Sequence, residues 1–200
     1  MRTRLIYSKR GGACFVPHIA LAQMFSRSAS RAGMTLIMTQ GFSPRAKLSF
    51  GPELPAGVVA LNEPVDMYFE SVPENFITII NNSLPEGFNV SRVIFPDEDA
   101  PSLGKLCKHA EYLLRNVNGL NLSEHAENFY HDSIIKLDHV DDRTRPTEWL
   151  RLIINAPAQN PIGGFVKFMV TQNIIAGWQD MNIVRVSIGS YDQERDCVNL

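Results

Sequence analysis

Two hundred residues, 44% of them apolar, are enough for one large domain or two small ones around a packed core. No apolar run reaches the roughly 18 residues a membrane span needs. Nor does a basic start lead into an apolar stretch of the secretory kind, so a cytoplasmic protein with no membrane partner is expected. The formal charge of −2 hides a division: residues 1–50 hold eight cations and no acid, while the rest hold eleven cations against 21 acids.

In chain order, TRLIYSK (3–9) reads as a strand and Gly11–Gly12 as a tight turn. From Val16 to Ala32, Leu21, Met24, Phe25 and Ala32 recur at helical spacing, with Ser28 the one polar member of the stripe. Pro17 suits the first turn of that helix, where a missing N–H costs nothing, and Gly33 suits its exit. MTLIMTQ (34–40) is expected as a strand, AKLSFG as part of another, and PVDMYFES (64–71) as a third. PENFITIINNSL follows as a helix and FNVSRVIFP as a closing strand. That succession is βαββαβ, the ferredoxin-like pattern.

PDEDAPSLG (96–104), with three acids, two prolines and a glycine, reads as a linker. The plan then restarts: AEYLLRNV as strand, LSEHAENFYHD as helix, SIIKLDHV and EWLRLIINA as strands around the turn DDRTRP. PIGGFVKFMVTQNI is a helix and MNIVRVSIG a last strand. The expected fold class is α+β: two tandem ferredoxin-like sandwiches with antiparallel sheets, a basic half over 1–97 and a second over 98–200.

The enzyme signatures fail one by one. SKRGGACFVPHI runs from strand to helix through two glycines but matches neither phosphate-loop pattern. Cys14, Cys107 and Cys197 stand 93 and 90 residues apart, which offers no zinc clip, disulfide framework or iron–sulfur cluster. His125 and His131 are not an i, i+4 pair, and His139 sits beside acids before a turn, so no metal is expected. Cys107 and His109 can share a strand face, yet nothing there orients the histidine. No serine sits in a G-x-S-x-G elbow. The sequence therefore points away from catalysis, and no cofactor is expected.

A surface is left. Gln23, Arg27 and Arg31 recur at i, i+4 and i+8, opposite the apolar stripe of the first helix. Gln40, Ser43, Arg45 and Lys47 occupy the loop TQGFSPRAKLSFGPELPAGV, which its prolines and glycines stiffen. Guanidinium forks match phosphate oxygens, and Phe42 can lend a ring for base stacking, while Phe50 reads as a core anchor. With Lys9 and Arg10, these residues make a candidate anion-binding face.

At this loop the chain resembles a bacterial family, the radical-SAM-linked domain of unknown function. The likeness is carried by Ser8-Lys9, His18, Arg31-Ala32-Gly33, Gly41-Phe42-Ser43-Pro44-Arg45, Leu48-Ser49-Phe50-Gly51-Pro52 and Leu54-Pro55-Ala56-Gly57. It is specific through about Val58 and diffuse beyond about residue 115. Ala20 stands where the family tends to have aspartate, and Ala46 where it has the loop's second proline. The resemblance implies an accessory domain fused to, or encoded beside, a radical SAM protein, with no established activity.

Three functions follow as expectations. The first is a non-catalytic module that binds RNA (tRNA or rRNA) through Lys9, Arg10, Arg27, Arg31, Gln40, Phe42, Ser43, Arg45 and Lys47, working with a radical SAM enzyme. The second is a subunit that docks on that protein and touches no nucleic acid. The third is an enzyme using His18 on a small anionic substrate.

Overall fold

The computed structural model describes residues 1–140 and 148–200. The first half comprises β1 (Arg2–Lys9), α1 (His18–Arg31), β2 (Leu48–Phe50), β3 (Val59–Tyr68), α2 (Phe76–Ser83) and β4 (Phe88–Ile94). The second comprises α3 (Leu103–Leu106), β5 (His109–Asn116), α4 (Ser123–Tyr130), β6 (Ile134–Val140), β7 (Trp149–Asn155), α5 (Ile162–Thr171), β8 (Met181–Asp192) and β9 (Cys197–Asn199). The turn expected over DDRTRP lies outside the described residues.

Helix α1 forms for the reason its spacing suggests: Leu21, Phe25, Ser28 and Ala29 fall on one stripe and are buried. In α5, Ile162, Phe165, Val166 and Met169 do the same. A side chain pins α2, since Asn81 exchanges two hydrogen bonds with the backbone of Val90 in β4. MTLIMTQ is not a ladder strand. It makes isolated bridges, Leu36 with Phe69 and Met38 with Ala46, and folds back on its own loop through Thr39 N to Arg45 O and Lys47 N to Ile37 O.

The architecture is α+β with a single, mostly antiparallel sheet in the order β4-β1-β3-β8-β5-β7-β6, β2 lying beside β3 and β9 beside β8. Two sheets were expected, and one is present. The cause is an edge left open: the three-residue β2 covers only Val65 to Met67 of β3. Farther along that edge, β8 pairs in parallel with Val59 and Ala60. An uncovered edge is a template for another strand, and the second half supplies it.

Two apolar cores lie under the helices. One joins Leu5, Tyr7, Val65 and Met67 to Leu21 and Phe25 of α1 and Phe76 and Ile80 of α2. The other joins strands β5, β7 and β8 to α4 and α5, and takes in Leu54, Val58 and Ala60 from the first half. The opposite face is covered otherwise. Arg2 and Arg4 both clasp Asp66 and reach the carbonyls of Ala100 or Pro101, which draws the linker across the sheet. At Gly189 a Cβ would stand 2.0 Å from the Asn199 carbonyl oxygen, so glycine there is what lets β9 fold back.

Candidate functional site

The junction of the two halves is built from charged side chains turned inward. Lys9, Ala60, Arg185 and Tyr112 lie in one row across β1, β3, β8 and β5. The small Ala60 leaves room for the two long cations beside it. From Tyr7 to Lys9 is two residues on β1, but their partners Glu63 and Ala60 are three apart on β3. That bulge brings Ala60, and with it Arg185, onto the face that Glu63 occupies, as bulges do. Arg185, 1% exposed, donates through Nε to Glu63 Oε1 at 2.7 Å, and its Nη groups reach the carbonyls of Pro52 at 3.0 Å and Glu53 at 3.3 Å. The fork thus grips the backbone of the strap 51–58, whose Gly51 would put a Cβ 3.2 Å from Cys107 Sγ.

Lys9 lies within this junction, 1% exposed, its ammonium donating to Val16 O at 3.3 Å. Burial pulls its pKa below the usual lysine range. It is therefore not a surface phosphate contact, and that expectation is corrected: the final residue of an inward-facing strand register carries it under the strap. His18, half-buried, packs edge-on against Phe50 with ring centroids 5.3 Å apart. Burial lowers its pKa, against the opposing pull of Glu53. Cys107 and His109 form no nucleophile–base pair. Burial pushes the thiol up to about 12, and His109 Nδ1 accepts from Tyr191 N at 3.0 Å.

The remaining expected residues lie on the outside of α1 and the hairpin 37–47. Gln40, Phe42 and Ser43 stand at the hairpin tip, with Phe42 fully exposed. Lys47 holds its ammonium 4.2 Å over the Tyr68 ring. Arg31 is committed to structure: its Nη2 donates to Ser83 O at 2.7 Å and to Ser28 Oγ at 2.9 Å, tying α1 to the end of α2. Arg10, Arg27 and Arg45 are exposed, and none has a carboxylate within 4.0 Å among the described residues. With Arg2 and Arg4 held by Asp66 and Lys9 buried, the acid-free opening of the chain presents far fewer cations than its composition promised.

Between α1 and this hairpin runs a groove of about 530 Å³. Ile19, Ala22, Met38, Leu48 and Phe50 give it an apolar lining, while Gln23, Ser26 and Arg45 supply the polar groups. Ile19 is 89% exposed. A smaller hollow of about 280 Å³ on the other side of Gln23 is bordered by Arg27 and Arg31.

Sequence reasoning missed the Arg185–Glu63 pair. One signal was present: Arg185 shares the inward register of β8 with Met181 and Ile183. Glu63 likewise shares the inward alternation of Val65 and Met67 on β3, but the bulge that brings Ala60, and with it Arg185, onto that face left no mark in the sequence. Among the described residues no group of three or more His, Cys, Asp and Glu side chains is placed to hold a metal, and no helix is long and apolar enough to cross a membrane.

A family model described as an uncharacterized protein conserved in bacteria (DUF2344) matches residues 2–172. No curated protein matches. Among solved structures, one described as a putative glycine cleavage system transcriptional repressor aligns at 10% identity over 94% of this chain and 98% of that one, with a TM-score of 0.29. The first two RRM domains of a yeast poly(U) binding protein align at 11% identity over 92% and 99%, with a TM-score of 0.26. Both are too distant to bear on fold or function.

Proposed function

We propose that this chain, which belongs to a bacterial family of uncharacterised conserved proteins, is a binding module whose groove between α1 and the 37–47 hairpin docks an acidic, amphipathic segment of a protein partner. One observation carries the reading: an apolar groove rimmed by Arg45 and edged by the exposed Ile19, with no acid in its lining, on the same helix–hairpin unit whose tip exposes Phe42. Aromatic, Met and Arg side chains with few carboxylates are the composition of an interface core. The exposed guanidinium groups of Arg27 and Arg45 favour an acidic partner on grounds of charge complementarity. The partner proposed is the radical SAM protein that the resemblance in residues 1–58 associates with such chains. As to architecture, the strand orders β4-β1-β3-β2 and β6-β7-β5-β8 are each read as a ferredoxin-like unit, over 1–97 and 98–200, fused edge to edge.

The second reading is RNA. It is favoured by the same exposed arginines together with the exposed Phe42 at the hairpin tip, and weakened by the cations that pair or bury. One titration separates the two. Labelled chain is titrated with a purified radical SAM protein of the kind the resemblance implies, and separately with single-stranded RNA, at low and high salt. Docking predicts saturable protein binding that persists at high salt and weakens about 30-fold in Phe42→Ala, as for an aromatic hot spot. RNA binding that collapses as salt rises, with no protein binding, would establish the nucleic-acid reading instead.

A further inference from the structure

Far from the groove in sequence, three side chains stand in the order nucleophile, base, acid. Ser123 opens α4, and its Oγ lies 3.0 Å from His139 Nε2. On the other side of the ring, His139 Nδ1 is 3.3 Å from Glu148 Oε2. The residues come from the start of α4, the end of β6 and the position before β7, so only the fold assembles them. His139 and Glu148 line a cavity of about 310 Å³ with Leu114, Leu120, Leu122 and Leu150 and, on its polar side, Arg115, Asn116 and Asn121; Ser123 follows directly on the lining residue Leu122.

The arrangement meets the geometric demands of acyl transfer. Glu148 accepting from Nδ1–H fixes the tautomer that leaves the Nε2 lone pair facing the serine hydroxyl. The N–H of Ser123 is already taken by Asn121 Oδ1 at 2.9 Å. Those of Glu124 and His125 precede the first intrahelical bond, Ala126 N to Leu122 O at 2.9 Å. Donors at the start of a helix, beside the nucleophile, are what a developing oxyanion needs.

We propose that Ser123, His139 and Glu148 form a hydrolytic centre for short-chain carboxylic esters, whose apolar part the leucines of the cavity receive. Ser123 Oγ adds to the ester carbonyl while its proton passes to His139 Nε2. The carbon–oxygen bond to the alcohol then breaks, and the imidazolium returns the proton to the departing oxygen. Water, deprotonated by the same nitrogen, cleaves the acyl-serine and releases the acid. Glu148 is a positioning residue, acting through His139.

The test uses the full chain with p-nitrophenyl butyrate as substrate and a fluorophosphonate as label. Stoichiometric labelling of the peptide that contains Ser123 is expected, absent in Ser123→Ala and His139→Ala. Ser123→Ala should lower kcat by about 10³-fold or more. Glu148→Gln should lower kcat by about tenfold or more without moving KM, with partial recovery in Glu148→Asp. Circular dichroism of each variant controls for folding, which these exposed sites should leave intact. Failure of the label to reach Ser123 overturns the proposal. So does hydrolysis that survives Ser123→Ala but is lost in His139→Ala, which would be plain imidazole catalysis.

Discussion

Arg185 and Lys9 show two ways for a charge to be buried. Arg185 has a carboxylate partner and two strap carbonyls, and Glu63 beside it keeps its pKa above the usual arginine value despite the cost of burial. Lys9 has one carbonyl at 3.3 Å and an ammonium that burial destabilises. Breaking a buried pair from one side strands the other charge, whereas replacing a poorly satisfied buried ion by an apolar chain of like length is often neutral or better. Glu63→Ala should therefore cost about 3–5 kcal/mol in urea unfolding, and Lys9→Met should stay within about 1 kcal/mol of wild type or gain stability. Equal losses in the two variants would show that Lys9 has a charge partner after all.

Among the elements, the β8–β9 hairpin stands apart because ions rather than apolar burial fasten its turn. Asp196 receives Lys136 Nζ at 2.5 Å, Arg151 Nη1 at 2.9 Å and the Tyr191 hydroxyl at 2.9 Å. The Lys136 hydrogen bond, then those of Tyr191 and Arg151, hold its carboxyl well below the usual carboxylate range. A carboxylate depressed by folding adds stability above its unfolded pKa of about 4, and that stability fades as pH falls through the folded value. Because Asp196 is partly exposed, solvent screens much of the effect. Amide exchange should report it locally: protection at Ser190–Asp192 and Val198 should hold at pH 6 and decline below about pH 4, before that of β1 or β5. Simultaneous loss in all strands, or no loss in Asp196→Asn at neutral pH, would count against an ionic clasp.

For the whole molecule, the strap 51–58 matters most. Its carbonyls hold Arg185 of the second half, and Leu54 and Val58 of the strap enter the second half's core. Leu54→Ala should cost about 2–5 kcal/mol, and the shared sheet predicts that unfolding stays a single transition followed alike by Trp fluorescence and far-UV circular dichroism. Two separated transitions would mean that the halves are coupled only weakly. The strap also explains why residues 50–58 alternate turn formers with apolar anchors: the glycines and prolines shape a crossing backbone, while Phe50 packs toward one core and Leu54 and Val58 toward the other.

Most of the element plan was legible because helix and strand periodicities are local, and burial follows them directly. The stripe of Leu21 and Phe25 and the restart of the plan after the linker needed no tertiary information. MTLIMTQ was misjudged because its backbone partners are split between its own loop (Arg45, Lys47) and the end of β3 and just beyond (Tyr68, Glu70), so that no continuous ladder forms, which composition does not reveal. The candidate groove was half legible: Arg45 stood out, but the apolar channel exists only once Ile19 and Met38 both line it. Charge fared worst. Sequence counts cations, but a carboxylate such as Asp66, far along the chain, decides which of them remain available. Local order and the apolar faces were thus written in the sequence itself. The union of two sheets into one, the burial of Lys9 and the meeting of Ser123, His139 and Glu148 were decided by tertiary structure, because edge pairing, bulges and long-range ion pairs depend on residues that no local pattern brings together.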